Sequence, residues 1–347
     1  MRSRFWMYIA SIAALGSLVL AQTPTAKPIV WIYTDMSDKT IPGKNHMGTV
    51  NDPDDISAMA GYLLLADKFD TRGIVVTSTH RPEHAVSSDQ AAWAERTFGE
   101  AYRAEVANLN SRLGGGFPAT ISFTQSCIKK TAERYAPAKT YASLDTYPTV
   151  RALFEVAARE PNGALINVLC WGSVTEPAIL VNHCLSTGRT DVLKKLRFIA
   201  HWTNSSLHQG TPEHPENVAN CREDAAACTY LKQNALAKKI DYRECGAIGQ
   251  HGIVSGAPRG VAYYEAFKVS RLGRLFAEGK FVQNSVDHSD SATYWVLLGT
   301  MGVTLADIPA DGSNTASQET ANEKKFVASS RALHEELLRR ARAAAGK

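Results

Sequence analysis

Four short runs of apolar residues constrain this chain more than any other feature. They span 28–33, 73–77, 164–171 and 196–201, and each is apolar at consecutive rather than alternating positions. A strand with one face in water cannot be built that way, so each run is expected to be a strand covered on both faces. Segments of helical period separate them. Ile56, Met59, Ala60, Leu63 and Leu64 mark a helix starting at Asp54, with Asp54 and Asp55 at the end where carboxylates are favoured. Residues 88–113 form a long amphipathic helix ended by Gly114-Gly115-Gly116, and 149–159 and 176–184 form two more. Strands alternating with helices, without internal repeat, give an α/β fold: an open, mostly parallel, Rossmann-like sheet with helices on both faces.

Composition excludes the alternatives. Hydrophobic residues make up 44% and charged residues 21%, which rules out a disordered, collagenous or coiled-coil chain. The net charge of +4 is not concentrated in blocks, so nucleic acid is not an implied partner. Met1-Arg2-Ser3-Arg4 followed by apolar residues 5–21, with Val19 and Ala21 before Gln22, has the build of a secretory signal. A membrane anchor is the competing reading, since 17 apolar residues almost span a bilayer. The break into Gln22-Thr-Pro-Thr favours cleavage, which predicts a secreted or periplasmic protein that leaves the membrane. The expected organisation is a signal at 1–21, a main domain at 22–306, and a polar linker with a C-terminal helix at 307–347 packed on that domain. A Gly-rich stretch at 246–258 is expected to be a mobile loop, and 307–325 a surface linker. None of the six cysteines forms a Cys-x-x-Cys pair. Cys170 is expected to be a buried thiol, while Cys221, Cys228 and Cys245 are close enough for one local disulfide.

In such sheets, ligands bind beyond the carboxyl ends of the strands. The residues there are Asp35, then Asp52, Asp54 and Asp55; Ser78, Thr79 and His80; Gly172 to Thr175; and Trp202, Thr203 and Asn204. Asp287-His288-Ser289-Asp290 lies further along. Aspartates converging from several strand ends repel one another unless a hard cation sits between them, and oxygen-only ligands suit Ca²⁺ first and Mg²⁺ second. Taken singly, Asp54, Asp55 and Asp290 are equally well explained as helix caps. There is no P-loop, no Gly-x-Ser-x-Gly elbow and no His-Glu-x-x-His.

These residues give the chain a resemblance to the inosine-uridine preferring nucleoside hydrolases and their secreted nucleoside-hydrolase-like relatives. Thr34-Asp35 and Asp54-Asp55-Ile-Ser-Ala-Met resemble the two ends of the family's Asp-x-x-x-Asp-Asp signature. Leu169-Cys-Trp-Gly172-Ser-Val-Thr175-Glu is similar to its Gly-Pro-Leu-Thr-Asn. Asn220-Cys-Arg-Glu-Asp224-Ala-Ala resembles Phe-Asn-x-x-x-Asp-Pro-x-Ala-Ala, and Asp287-His288-Ser-Asp290 its late His-Asp. The four stand in the family's order. The chain departs from the pattern by fifteen extra residues between Asp35 and Asp54, which bring Asp38 and Asp52 into competition as ligands. It also has Val218 where the family has a ribose-binding Glu, and Glu176 where the family has Asn.

The resemblance implies that Asp35, Asp55 and Asp290 are carboxylate ligands of Ca²⁺ and that Thr175 adds its carbonyl. Asp35 would also take a proton from the attacking water, Asp54 and Asn220 would hold sugar hydroxyls, and His288 would protonate the leaving group. His80 and His201, each at a strand end, are rivals for that proton; His80, Trp202 and Asn204 would also line the substrate, with core packing the alternative for Trp202. The implied activity is an exported, calcium-dependent N-glycosyl hydrolase acting on a nucleoside or related small glycoside, with homo-oligomerisation left open. The alternative is a non-catalytic carbohydrate-binding or structural module that keeps the fold and the metal site.

Overall fold

The computed structural model describes residues 26–42, 53–76, 89–211 and 213–347. Six parallel strands form its centre: β1 (Ile29–Tyr33), β2 (Asp70–Val76), β3 (Thr124–Gln125), β4 (Ile166–Cys170), β5 (Leu196–Ala200) and β6 (Asp241–Glu244). Their spatial order is β3-β2-β1-β4-β5-β6. The connecting helices are α1 (Asp54–Leu64), α2 (Gln90–Ala94), α3 (Glu100–Leu113), α4 (Pro148–Arg159), α5 (Thr175–Ser186), α6 (Thr190–Leu193) and α7 (Ala225–Leu236). Beyond β6 come α8 (Val261–Glu265), α9 (Arg271–Glu278), the antiparallel ribbon β7 (Lys280–Val282) and β8 (Ser285–Asp287), α10 (Ala292–Leu298) and α11 (Ala316–Ala344).

The doubly apolar strands have the cause inferred from sequence. Val30 and Ile32 of β1 enter one core with residues of α1, α9, α10 and α11, whereas Trp31 and Tyr33 enter the other with α4, α5 and α7. Period-two alternation therefore feeds two cores instead of one core and water. The helix expected over 88–113 is present as α2 and α3, joined by one π-helical turn at Glu95–Gly99 and closed by Gly114 at φ 83°. Cys221 and Cys228 form the local disulfide, and Cys170 is a buried free thiol. Among the described residues, no helix is long and apolar enough to cross a membrane. Residues 1–21, read as a signal, lie outside the described residues.

Two expectations are corrected. The stretch 307–325 is not all linker: α11 begins at Ala316, where Thr315 and Gln318 cap each other reciprocally. Its polar residues misled because they cover a surface helix, while Glu319, Asn322 and Phe326 turn inward. Nor is 246–258 an open loop. Gly249–Val254 winds as a π-helical segment against α11. A Cβ on Gly249 would lie 2.0 Å from the Ser289 carbonyl oxygen, so that glycine serves close packing rather than freedom.

Candidate functional site

The strand order creates a switch point between β1 and β4. The chain leaves β1 toward β2 on one side and reaches β4 on the other, so the loops after these strands part and leave a crevice. Thr34 and Asp35 follow β1, and Trp171 to Thr175 follow β4. The two strand ends are pinned together by Trp171 N donating to Tyr33 O at 2.9 Å. Asp35 lies directly against Gly172, whose missing side chain leaves it room. The start of α1 joins them, because the Thr34 hydroxyl donates to Asp55 Oδ1.

From the far end of the sequence, a short turn at Ser289–Ser291 brings in Asp290. One carboxylate oxygen from each of Asp54, Asp55 and Asp290 lies within 4.8 Å of the others. Asp35, Asp55 and Asp290 are all buried. The Asp55 carboxyl is held well above the usual carboxylate range by burial first, then by Asp290, Asp35 and Asp54. Asp287 is raised as well, by burial and then by Asp54. Among the described residues, Lys280 brings a positive charge to this group, its Nζ standing 3.2 Å from Asp287 Oδ2 and 3.7 Å from Asp54 Oδ2. Ser289 Oγ donates to Asp54 Oδ2 at 3.2 Å. Several clustered carboxylates against one ammonium leave excess negative charge in a buried place, and every donor in the Asp54–Asp55–Asp290 set is an oxygen. That chemistry fits a hard divalent cation.

His201, just after β5, faces the same group, with Nε2 3.8 Å from Asp290 Oδ1. Burial pushes its pKa down to about 4, with Asp54 opposing and Lys280 adding to the shift, so the ring is neutral at pH 7. Trp202 stands edge-on to His201, with ring centroids 5.8 Å apart, at a left-handed φ of 49° that a large side chain rarely adopts.

Residues 47–207 match the family model described as "Cellulose-binding Sde182, nucleoside hydrolase-like domain". That stretch, just under half of the chain, is similar to a nucleoside hydrolase-like domain. Its fold is similar to that of a nucleoside hydrolase-related protein from Saccharophagus degradans that is associated with carbohydrate metabolism. That match has a TM-score of 0.60 and 14% identity, and covers 92% of this chain and 72% of the other. An inosine-uridine preferring nucleoside hydrolase from Bacillus anthracis aligns at TM-score 0.42 and 13% identity, covering 86% of this chain and 99% of its own. An inosine-guanosine nucleoside hydrolase aligns at 0.46 and 12%, covering 92% and 98%. No curated protein matches the chain.

In this fold, Asp35, Asp54, Asp55 and Asp290 are brought together from three separate parts of the chain. Thr175 opens α5, and its hydroxyl donates to Asp224 Oδ2 at 2.6 Å, so its side chain is engaged away from the aspartates. Asp224 also caps α7, which gives that motif residue a structural task. Asn220 donates both amide hydrogens, to Trp171 O at 2.7 Å and His201 O at 2.9 Å. It staples the ends of β4 and β5 and keeps only its side-chain oxygen for a ligand.

Other expectations fail on geometry. His288 is fully buried and its Nε2 sits 3.1 Å from His334 Nε2 of α11, beside Phe276, rather than facing a ligand. In the two-residue His-Asp pattern, the residue directly before Asp290 is Ser289, and Ser289 is the one that touches Asp54. Asn204 is 1% exposed, with its carbonyl held by Asn314 Nδ2 at 3.2 Å, so it offers no open surface to a substrate. Asp38 turns its carboxylate to Thr40 and closes its own turn instead of competing for the metal. Val218 is packed in the core, and Glu176 takes a hydrogen bond from Ser126, so neither supplies the lost sugar contacts. His80 and Asp52 lie outside the described residues. Sequence reasoning missed Lys280 and Ser289. A lysine in a three-residue strand has no periodic signal, and Ser289 was hidden by the more reactive histidine beside it.

Proposed function

We propose that the protein is an exported, calcium-dependent hydrolase of N-glycosidic or related glycosyl bonds, working at the crevice between β1 and β4. The observation that carries this reading is the convergence of Asp54, Asp55 and Asp290 within 4.8 Å, with Asp35 alongside. Asp55, Asp290 and Asp54 would hold the cation, with Asp35 beside them and Thr175 offering its carbonyl. A bound Ca²⁺ would lower the pKa of a water and orient sugar hydroxyls. Asp35 would accept the proton of a water attacking the anomeric carbon as the glycosidic bond breaks and the leaving group takes the bonding pair. Asp54 accepts hydrogen bonds from the sugar, and Asn220 Oδ1 accepts another, favouring the oxocarbenium-like state over the ground state. His201, neutral and beside Asp290, orients this end of the site, and Trp202 offers a flat face to a ring. The leaving group departs without His288, so substrates with acidic leaving groups are the ones expected to react.

A second reading has its own support. The buried His288 and the apolar Val218 both remove groups needed for nucleoside turnover, and the matching family model carries the words cellulose-binding. On this reading the crevice binds a carbohydrate and does not cleave it. A hydrolysis screen across nucleosides and aryl glycosides, with and without Ca²⁺, run beside binding of soluble oligosaccharides, separates the two. Calcium-dependent product supports the hydrolase. Saturable binding without product supports the module.

A further inference from the structure

A second group of metal-ligating side chains lies outside the acidic crevice. After β5 the chain makes a tight loop closed by Ser205 N to Gly210 O at 3.1 Å and Gly210 N to Ser205 O at 2.9 Å. His208 N donates to Ser205 Oγ at 3.1 Å, which fixes the tip of the loop. The loop presents His208 to the first turns of α11, where Glu319 and Glu323 are four residues apart and share a face. One ligand atom from each of His208, Glu319 and Glu323 lies within 4.8 Å of the other two.

The parts of this group are already oriented. Glu319 is fully buried: its Oε1 accepts from Ala247 N at 2.6 Å and Ser205 Oγ at 2.8 Å, and its Oε2 accepts from Asn314 Nδ2 at 3.0 Å. Those donors aim the carboxylate and leave one lone pair over, on Oε2, and outer groups commonly hold a metal-binding carboxylate in this way. The His208 ring is stacked on His251, with centroids 3.6 Å apart and planes 6° from parallel, so its plane is fixed too. Its Nε2 points at Glu323 Oε1, 2.5 Å away.

We propose that His208, Glu319 and Glu323 form a second metal site, selective for a borderline divalent cation of the zinc class. An imidazole with two carboxylates suits such an ion, whereas the oxygen-only crevice suits Ca²⁺. Three protein ligands leave one tetrahedral position for water. With both donors about 2.0–2.1 Å from an ion, His208 Nε2 and Glu323 Oε1 would stand roughly 3.3 Å apart, so Glu323 has to withdraw by less than 1 Å. An ion held there ties the Ser205–Gly210 loop to α11. It also steadies His251, whose ring is 6.1 Å from that of Trp202 at the edge of the crevice.

The test is a calorimetric titration of the full chain with Zn²⁺ in excess Ca²⁺, so that the crevice is occupied. Expected is one saturable Zn²⁺ per chain, with affinity reduced at least about tenfold by His208→Ala and by Glu323→Gln but unchanged in Asp290→Asn. The His208 and Glu323 side chains are both partly buried, so a melting curve of each variant checks that it is folded. No saturable binding, equal binding in both variants, or loss only in Asp290→Asn would overturn the proposal.

Discussion

A Cβ on residue 172 would lie 2.6 Å from Cγ of Asp35, so Gly172 and Asp35 are fitted to each other across the switch point of the sheet. The strands that carry them, β1 and β4, are hydrogen-bonded neighbours in register up to Tyr33 and Cys170. Two residues beyond that register, the only way to seat a carboxylate between the strand ends is to remove the opposing side chain. The β4 loop is thus shaped around the acid that the proposed chemistry depends on.

Gly172→Ala is accordingly expected to displace Asp35. Overpacking of this kind costs about 1–3 kcal/mol, so the protein should still fold. Hydrolysis or ligand binding should be lost out of proportion to the drop in melting temperature. Activity equal to that of the parent would show that Asp35 is not needed in its present position.

Calcium is expected to raise the melting temperature and a chelator to lower it, because a cation bound only by the folded state stabilises that state. Asp55→Asn and Asp290→Asn should abolish the response. Both variants also relieve the mutual repulsion of the cluster, so without calcium they should be no less stable than the parent. Differential scanning calorimetry with and without chelator measures both effects.

If the hydrolase reading holds, Asp35→Asn should reduce turnover by several orders of magnitude, since it removes the proton acceptor at nearly constant size. His201→Ala should lower kcat/KM, whereas His288→Ala should act on stability and leave kcat/KM of the folded fraction nearly intact. Steady-state kinetics beside thermal melts distinguish the two histidines. A large kcat/KM loss in His288→Ala would restore it as the acid.

Acid stability should carry the mark of the His288–His334 pair. His334 Nδ1 donates to Ser330 O at 2.8 Å, so its Nε2 accepts from His288 Nε2, a tautomer assigned from the network. Burial pushes the His334 pKa down to about 4 from the ordinary 6.5, and His288 is lowered by burial and by His334. A lowered histidine favours the fold while neutral. Its contribution is whole above pH 6.5 and is lost as the pH falls toward 4, amounting to about 3 kcal/mol for His334. Buried Glu176 and Glu319 are raised by burial and act in the opposite sense. The readout is therefore a difference: His334→Gln should lose less melting temperature than the parent between pH 6.5 and 4.

The sequence alone determined the parallel sheet and the position of four of its six strands, β1, β2, β4 and β5, but not of β3 and β6. Apolar runs such as Ile29–Tyr33 report burial on both faces locally, with no need to know which neighbours do the burying. It also raised the expectation that Asp35, Asp54, Asp55 and Asp290 belong together, partly through the family resemblance, while leaving helix capping open for Asp54, Asp55 and Asp290 taken singly. The fold brings the four near one another. Tertiary structure decided the rest. Whether a histidine faces a ligand or a helix depends on one or two residues of rotation, and that rotation turns His288 toward His334 and leaves Ser289 on Asp54. The polar stretch before Phe326 became helix because α11 had a core to lie on, which composition does not reveal. Lys280 and the His208–Glu323 pair join residues 115 or more positions apart. Contacts at that separation are set by packing of whole elements, and no local pattern in the chain encodes them.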